Sequence, residues 1–515
     1  MKHIARSTLI IAVFFGLEKI LGFVRNILIS RTFGRSDALD AFNAANNIPD
    51  LLFALISGGA LAMALIPVLS EYLQGKGRPE AWDLFARITN LVFLVTAGFS
   101  ILIALFAGPL VRWNIGIAPG FGPEQQALVA DLMRLNLIAT LLFSLAGLAI
   151  AGLQANQHFL LPALAPSMYD LGALVGILIL VPEKGLELGP VTLPALGLGI
   201  HGLVYGTILG ALLFLLVQVP GLLHFGFRWA PRLNLRHPGV QQVLAVMLPR
   251  VATVLFIQLI FIAQDNIASR LVAGSVTALV YGWLFMQVPE SLIGTALGTA
   301  LLPTLSEQIT RQDEAGFQRT INHTLRAILA LTIPLATILI IGIHPLVPIL
   351  GFDEIGTGLV TWTTRAYMLG IIGHSLIEVG ARAFYARQDA RTPLALIGIT
   401  FLLFILFAIP LALVLDLGAP GIALANSLAF SIEAGLFLWL LRRRYPGLLA
   451  LGSTPWRVAL AALAGGLLVF LGLQWLPLAS LGLVTGVLAS IALLGAGVLV
   501  TLPFIWPELR LLLDL

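Results

Sequence analysis

Charged side chains that interrupt apolar runs are the residues of this sequence with the clearest capacity for chemistry. The first apolar run carries Glu18, Lys19 and Arg25. Charge in the core of a bilayer costs about 2.5–3.5 kcal/mol per residue on insertion scales, so such residues usually face a partner or a polar cavity. Glu18 and Arg25 are seven residues apart and share a helix face. Two interpretations stay open: a structural Glu18–Arg25 ion pair, or a cavity in which Lys19 and Arg25 hold an anion.

A polar stripe opens the second apolar segment. Asp40, Asn43, Asn47 and Asp50 follow one another at spacings of three, four and three residues, which places them on one face of a helix. Pro49 interrupts that helix because it has no N–H to donate, and it frees backbone carbonyls. We expect the stripe either to line the outer half of a cavity or to form a capped, water-exposed helix start.

The second half of the chain holds further candidates. Arg250 lies early in the seventh apolar segment, and Asp265 lies further along the same segment as a candidate for ion coupling. His374, Glu378 and Arg382 follow one another at intervals of four residues, so Glu378 and Arg382 have the spacing of a helical ion pair. These three residues form either a buried stabilising triad or a proton or cation site, since histidine titrates near neutrality.

The elements that hold these residues belong to a membrane protein. The 515 residues are 59% hydrophobic and 10% charged, with a mean hydropathy of +0.99, whereas soluble domains carry about 25% charged residues. Cysteine is absent, which excludes disulfides and thiol chemistry. The net charge of +4 is explained by Lys and Arg in cytoplasmic loops rather than by nucleic-acid binding. Enzyme motifs are missing, so we predict a protein that is not an enzyme and has neither cofactor nor metal.

The apolar segments predict an all-α polytopic membrane protein with about fourteen transmembrane helices, each needing about 20 apolar residues. We predict a first six-helix lobe over residues 1–224, a basic cytoplasmic linker over 225–240, a second six-helix lobe over 241–445 and a C-terminal helix pair over 446–515. The N-terminal run lacks a signal-peptide cleavage site and is interpreted as a retained first helix. Lys and Arg concentrate in the loops on the side of the N-terminus, which predicts that both termini are cytoplasmic.

An internal repeat supports the two lobes. Pro67-Val-Leu-Ser-Glu71 matches Pro303-Thr-Leu-Ser-Glu307, and Ala155-Asn-Gln157 matches Ala386-Arg-Gln388. The two matches have nearly the same offset and the same inside–outside sense. They indicate lobes related by a pseudo-two-fold axis along the membrane normal. Chance similarity between helices rich in Leu, Ala and Gly is the alternative.

Five stretches together point to a known family: LGFVRNILISRTFG, LDAFNAANNIPDLL, ALIPVLSEY, ALGTALLPTLSEQ and RAFYARQDARTP. The chain resembles the MurJ/MviN family, lipid II flippases of the multidrug/oligosaccharidyl-lipid/polysaccharide exporter superfamily, over essentially its whole length. The resemblance implies transfer of the lipid-linked peptidoglycan precursor from the inner to the outer leaflet by alternating access. It also implies a cationic central cavity for the pyrophosphate and a hydrophobic groove in the last two helices for the polyprenyl tail.

The resemblance assigns roles to residues of the first lobe. Arg25 matches the first-helix arginine of the family, Lys19 stands where the family often has an arginine, and Asp40 matches the aspartate of its DAF motif. In the resulting hypothesis, Lys19 and Arg25 grip the pyrophosphate through charge-assisted hydrogen bonds, and Asp40 pairs with them in one state and releases them in another. Asn43 and Asn47 belong to the same substrate-binding set.

Two positions depart from the family pattern. Phe53 and Leu284 stand where basic residues are expected, so the cavity has two fewer cations. Arg250, a further member of the substrate-binding set, and Arg365 are the candidate replacements. The departures leave open a flippase for another undecaprenyl-pyrophosphate-linked glycan or a cation-coupled drug exporter. From a different class, a non-transporting scaffold for cell-wall enzymes is the alternative.

The sequence thus predicts a flippase of the bacterial cytoplasmic membrane. Its expected partners are an undecaprenyl-pyrophosphate-linked substrate, membrane lipids and cell-wall synthesis proteins. The candidate driving forces are the membrane potential and a monovalent cation. Because the second lobe repeats the scaffold without the charges, we expect any anion site to lie mainly in the first lobe.

Overall fold

Residues 2–56, 59–188, 191–476 and 481–513 are described by the computed structural model. Within these ranges the chain forms eighteen α-helices and one short antiparallel hairpin, β1 (Glu187–Leu188) with β2 (Val191–Thr192). In chain order the helices are α1 (Lys2–Phe33), α2 (Asp37–Ala45), α3 (Asn47–Ile56), α4 (Gly59–Gly75), α5 (Arg78–Arg112), α6 (Pro123–Ala155), α7 (Leu160–Val175), α8 (Ile200–Leu216), α9 (Val219–His224), α10 (Pro238–Ala268), α11 (Ser275–Glu290), α12 (Ala296–Thr310), α13 (Glu314–Gly342), α14 (Glu354–Ala386), α15 (Arg391–Ile409), α16 (Gly418–Arg444), α17 (Thr454–Trp475) and α18 (Leu483–Leu513). Short π-helical turns continue α7, α11 and α15, and a 3₁₀ turn (His344–Leu350) follows α13.

The helices confirm a multi-pass membrane protein. Among the described residues, eleven helical spans are long and apolar enough to cross a membrane. The predicted second membrane segment is instead a succession of three helices, α2, α3 and α4, of 9, 10 and 17 residues. The helices α1 and α14 have 32 and 33 residues but are not among the eleven spans. The all-helical class is therefore confirmed, and the number fourteen stays a prediction.

The chain divides into two compact units, Met1–Asn266 and Ile267–Leu515. In the first unit, α6 packs against α2, α3, α4, α5 and α8. In the second unit, α14 packs against α11, α12, α13 and α16, while α17 and α18 pack against each other and against α13. The division falls near the C-terminal end of α10, whereas the predicted linker occupies residues 225–240. The predicted lobe boundaries stay predictions.

Glycines bring α7 and α8 of the first unit into backbone contact. A Cβ added at Gly172 would lie 2.3 Å from the Cα of Gly210, and one at Gly176 would lie 2.7 Å from the Cα of Gly206. Any side chain at these positions would push the two helices apart. Small residues at helix crossings allow such close approach inside membranes, where van der Waals packing drives association. The two helices therefore form a tightly packed pair.

The helix break at the polar stripe lies before Pro49, which corrects the expectation that the proline itself causes it. Helix α2 ends at Ala45 with Asn46 as its C-cap, and α3 begins at Asn47. Pro49 lies in the first turn of α3, where backbone N–H groups have no partner within the helix, so its missing donor costs little. The predicted single stripe is consequently divided between two helices.

The two copies of the repeated link share an uncommon backbone conformation. Helix α6 ends at Ala155 and Gln157 has φ 58°, while α14 ends at Ala386 and Gln388 has φ 60°. In each copy the next N–H bonds back to a carbonyl near the helix end, at 2.9 and 3.0 Å. Positive φ is uncommon for residues other than glycine, so the agreement supports a structural repeat. The pseudo-two-fold relation of whole lobes stays a prediction.

Candidate functional site

Arg25, the first-helix arginine, is held by an aspartate that the sequence analysis did not single out. Its Nη1 donates a hydrogen bond of 2.6 Å to Asp170 Oδ1 on α7, and its guanidinium carbon lies 5.0 Å from the centroid of the Tyr169 ring. The Asp170 side chain is 2% exposed. Gly22 faces this carboxylate, because a Cβ there would lie 3.8 Å from both Asp170 oxygens. Arg25 and Asp170 thus form a charge-balanced pair between α1 and α7.

The Glu18–Arg25 ion pair, one of the two interpretations of the first apolar run, is not formed among the described contacts. Lys19 Nζ lies 3.5 Å from Glu18 Oε2, and the Lys19 side chain is 57% exposed. Arg25 bonds to Asp170 because a nearly buried carboxylate needs a charge partner more than the Glu18 carboxylate, whose side chain is 25% exposed, does. Asp170 could have been found by the criterion that selected Glu18, since it is a lone charge within an apolar run.

Asn47, a residue of the divided polar stripe, contacts Asp265 of the seventh predicted segment. Asn47 Nδ2 donates a hydrogen bond of 2.6 Å to Asp265 Oδ2. Asp265 is 5% exposed and Asp40 is 1% exposed, while Asn43 is half-buried. A residue predicted for substrate binding and one predicted for ion coupling are therefore in direct contact. Asp40, Asn47 and Asp265 thus belong to a polar, largely buried part of the first unit.

The two positions with missing basic residues carry apolar side chains, and the neighbour of one of them is aromatic. The Phe53 ring packs edge-on against Phe143, with centroids 6.0 Å apart, and Leu284 is half-buried. Arg250, predicted to compensate, lies in α10, but its side chain is outside the described residues. The charge that Phe53 would have supplied is thus replaced by aromatic packing.

Arg365, the other candidate replacement, lines a cavity of about 730 Å³ in the second unit. Its Nε donates a 2.8 Å hydrogen bond to the Ile340 carbonyl, and its guanidinium carbon lies 4.8 Å from the Trp362 ring centroid. His344 Nδ1 and Thr361 Oγ1, 3.3 Å apart, add polar groups. Apolar side chains of α17 and α18 and the link between them complete the walls, namely Leu473, Leu476, Leu481, Leu483 and Val487. The cavity combines one cation with an apolar lining.

The candidates on α14 separate into two groups. Glu378 Oε2 lies 2.6 Å from Arg382 Nη1, so the helical ion pair predicted from the spacing is present. His374 faces α16 instead: its Nε2 lies 3.1 Å from Asn426 Oδ1, and its ring stacks on Phe430 at 4.1 Å. Among the described contacts His374 does not join the other two, so the triad, one of the two interpretations of this spacing, is not formed there. Four residues turn a helix by slightly more than one revolution, and that rotation directs the side chains to different neighbours.

This chain is similar to known proteins over most of its length. A family model described as lipid II flippase MurJ matches residues 29–497. A Burkholderia cenocepacia protein named lipid II flippase MurJ is 32% identical over 401 residues, which cover 76% of this chain and 75% of that protein. A Vibrio cholerae protein named probable lipid II flippase MurJ is 27% identical over 494 residues, which cover 91% and 88% of the two chains.

Solved structures share the fold. A structure titled lipid II flippase MurJ, inward closed conformation, has a TM-score of 0.76 at 21% identity and covers 98% of this chain and 100% of its own. An inward-facing multidrug resistance MATE family transporter of the MOP superfamily has a TM-score of 0.68 at 13% identity, with 84% and 95% covered. At such identities the likeness concerns the fold, since one fold hosts many functions.

Proposed function

We propose, from the premise that this chain belongs to the MurJ family, that it moves lipid II from the cytoplasmic to the outer leaflet of the bacterial inner membrane for peptidoglycan synthesis. Family membership carries the proposal, because the match extends over most of the chain. Members of this family are transporters rather than enzymes. Moving a lipid-linked precursor between leaflets breaks no covalent bond, so the residues needed are those that bind and release a charged head group.

The Arg25–Asp170 pair is the structural observation that supports a head-group site. A guanidinium binds phosphate oxygens in pairs, and a diphosphate carries more negative charge than one carboxylate. We propose that the diphosphate of lipid II takes the place of Asp170 at Arg25, so that Asp170 holds Arg25 in position between transport cycles. Lys19, with its half-exposed ammonium, adds a second cation two turns earlier on α1.

The remaining candidates form the rest of this hypothesis. Asp40, Asn43 and Asn47 supply polar surface for the passage of the head group, and Arg250 adds a further cation. Asp265 and His374, together with the Glu378–Arg382 pair, are the candidates for coupling to a monovalent cation or to the membrane potential. Buried ionisable groups of this kind mark ion pathways in transporters.

The finer architecture belongs to the same proposal. We infer fourteen membrane helices in two six-helix lobes related by a pseudo-two-fold axis, followed by the C-terminal pair, with both termini in the cytoplasm. The repeated left-handed turns at Gln157 and Gln388 support the duplication. Alternating access by rocking of two repeats is the transport mode that such an architecture serves.

The test is a flipping assay in proteoliposomes loaded with lipid II, in which outer-leaflet lipid II is measured over time. We expect Arg25→Ala to slow flipping at least tenfold, a loss of about 1.4 kcal/mol or more in head-group interaction. Arg134→Ala is the matched control, because Arg134 also pairs with an aspartate at 2.6 Å but has a 44% exposed side chain. Equal flipping by Arg25→Ala and wild type contradicts the site. Absence of flipping by well-folded wild type contradicts the substrate.

A second candidate substrate is another undecaprenyl-pyrophosphate-linked glycan. The observation that favours it is the aromatic contact of Phe53 with Phe143, which puts apolar surface where a cation is expected. Native mass spectrometry of the purified protein would identify the lipid that it carries. Recovery of lipid II excludes this candidate, and recovery of a different lipid-linked glycan supports it.

A further inference from the structure

We propose that the Tyr169 hydroxyl determines specificity: it hydrogen-bonds the sugar that is joined to the diphosphate of the transported lipid. It thereby distinguishes a polyprenyl diphosphate that carries a glycan from one that carries no sugar. Tyr169 belongs to none of the candidate sets above, where it appears only as a ring beside Arg25. The inference rests on the proposed function for the place of the diphosphate at Arg25, and it does not depend on which glycan follows.

The Tyr169 ring is held on three sides within the first unit. The Arg25 guanidinium lies over it, with its carbon 5.0 Å from the ring centroid. Phe143 of α6 packs edge-on, with the two centroids 5.3 Å apart. On α8, a Cβ added at Gly210 would lie 2.7 Å from Tyr169 Cδ2, so the ring edge rests on the backbone of that helix. A ring with these contacts has little rotamer freedom left to lose when a ligand binds.

The hydroxyl of this ring is unbonded and accessible. Among the described residues Tyr169 Oη makes no hydrogen bond, and it is not one of the buried polar atoms that lack a partner. The residue as a whole is half-buried. A tyrosine ring that packs in this way usually directs its hydroxyl to a hydrogen-bond partner. The Tyr169 hydroxyl is therefore oriented by its ring and open to a polar group of the substrate.

The order of groups in the substrate decides which group meets this hydroxyl. In a lipid-linked glycan the diphosphate is bonded on one side to the first sugar and on the other to the polyprenyl chain. The chain has no hydrogen-bonding group, whereas a sugar carries hydroxyl and ring oxygens. Because the Arg25 guanidinium lies over the Tyr169 ring, a diphosphate held by Arg25 brings the adjoining sugar beside the Tyr169 hydroxyl. A phosphate oxygen is the other acceptor within reach, and the experiment below separates the two.

Phe53 gives the inference a second support. Its ring packs edge-on against Phe143, with centroids 6.0 Å apart, and Phe143 packs against Tyr169. The position at which the family resemblance implies a cation thus holds an aromatic side chain of the cluster that fixes Tyr169. One cation fewer weakens the hold on the diphosphate, which all polyprenyl diphosphates share, and leaves more of the recognition to hydrogen bonds. A site built to bond a substrate hydroxyl discriminates strongly against an analogue that lacks it.

The experiment measures the Kd of lipid II and of undecaprenyl diphosphate for the full-length protein in detergent micelles. Tyr169→Phe removes the hydroxyl and keeps the ring with its packing. We expect it to weaken lipid II binding about threefold to tenfold, the factor that one hydrogen bond of ordinary net strength contributes, and to leave the Kd of undecaprenyl diphosphate unchanged. The matched control Tyr205→Phe, at a 41% exposed tyrosine on α8 of the same unit, should change neither Kd.

The ratio of the two Kd values is the readout, because a purely structural role of Tyr169 would change both values together. An unchanged ratio in Tyr169→Phe overturns the proposal, and equal weakening of both lipids assigns the hydroxyl to the diphosphate instead. A wild type that does not prefer lipid II to undecaprenyl diphosphate also overturns it. Failure of the proposed function is seen separately in the flipping assay. A wild type that flips no lipid II, but whose preference for it is lost in Tyr169→Phe, contradicts that function and supports this inference.

Discussion

The two units of the molecule hold intramembrane charge in opposite ways. In the first unit, Arg25 and Asp170 form a one-to-one pair in which the guanidinium donates directly to a nearly buried carboxylate. In the second unit, the carboxylates of Glu290 and Glu378 both interact electrostatically with Arg382, whose Nη1 lies 2.6 Å from Glu378 Oε2. A balanced pair needs no further ligand and yields only to a stronger competitor. The second unit instead places two carboxylates beside one guanidinium, so the two units differ in how many carboxylates each cation serves.

Substitution of Asp170 removes the partner of Arg25 and should have the largest effect on the free energy of unfolding. We expect Asp170→Ala to lower the free energy of unfolding by about 3–5 kcal/mol, because the loss of one partner leaves Arg25 in the membrane without its counter-ion. Titration of the protein with SDS in mixed micelles measures this change. A loss below about 1 kcal/mol would mean that the pair is solvated and that the two units hold charge alike.

Replacement of Arg382 tests the ion pair of the second unit and should have a smaller effect on the free energy of unfolding. We expect Arg382→Gln to lower the free energy of unfolding by less than about 2 kcal/mol, because both side chains of the pair are about a quarter exposed and water screens their interaction. The same titration with SDS in mixed micelles measures this change. A cost as large as that of Asp170→Ala would remove the distinction between the units.

Asp389, outside the membrane spans between α14 and α15, gives the smallest expected effect. Burial raises the pKa of its carboxyl, but hydrogen bonds from Thr392 and from the Arg391 N–H outweigh it and hold the pKa below its ordinary value. The resulting stabilisation is present above the unfolded-state pKa, about 3.9, and is lost as the pH falls through the lower folded-state pKa. Asp389→Asn should therefore cost below about 1 kcal/mol at pH 7 and less near pH 3. Unfolding titrations at both pH values measure this, and an equal cost at both contradicts it.

Local contacts could be predicted from the sequence, and distant ones could not. The Glu378–Arg382 pair follows from helix geometry alone, as does the placement of the repeated links at helix ends. Arg25 and Asp170 are 145 residues apart, and their contact depends on which face α7 presents to α1. Seven-residue spacing put Glu18 and Arg25 on one face, but the spacing carries no information about a better partner on another helix. The contact of Asn47 with Asp265, over 218 residues, depended on packing in the same way.

The break in the polar stripe shows a second limit. A proline predicts the end of a helix only when a helix already surrounds it. Here α2 ends at Ala45 with Asn46 as its C-cap, and Pro49 lies in the first turn of the next helix, a position that tolerates proline. The order of helix and proline was not readable from the residues alone.

The glycine contacts between α7 and α8 bear on which helix of the Arg25–Asp170 pair moves, α1 or α7. Gly172 lies two residues beyond Asp170, and its backbone touches that of Gly210. Because these two backbones are in close contact, we expect α7, and Asp170 with it, to move together with α8. If the proposed opening of the pair occurs, we expect α1 rather than α7 to move. Spin labels on α1 and α7 should report two distances, and labels on α7 and α8 a single one.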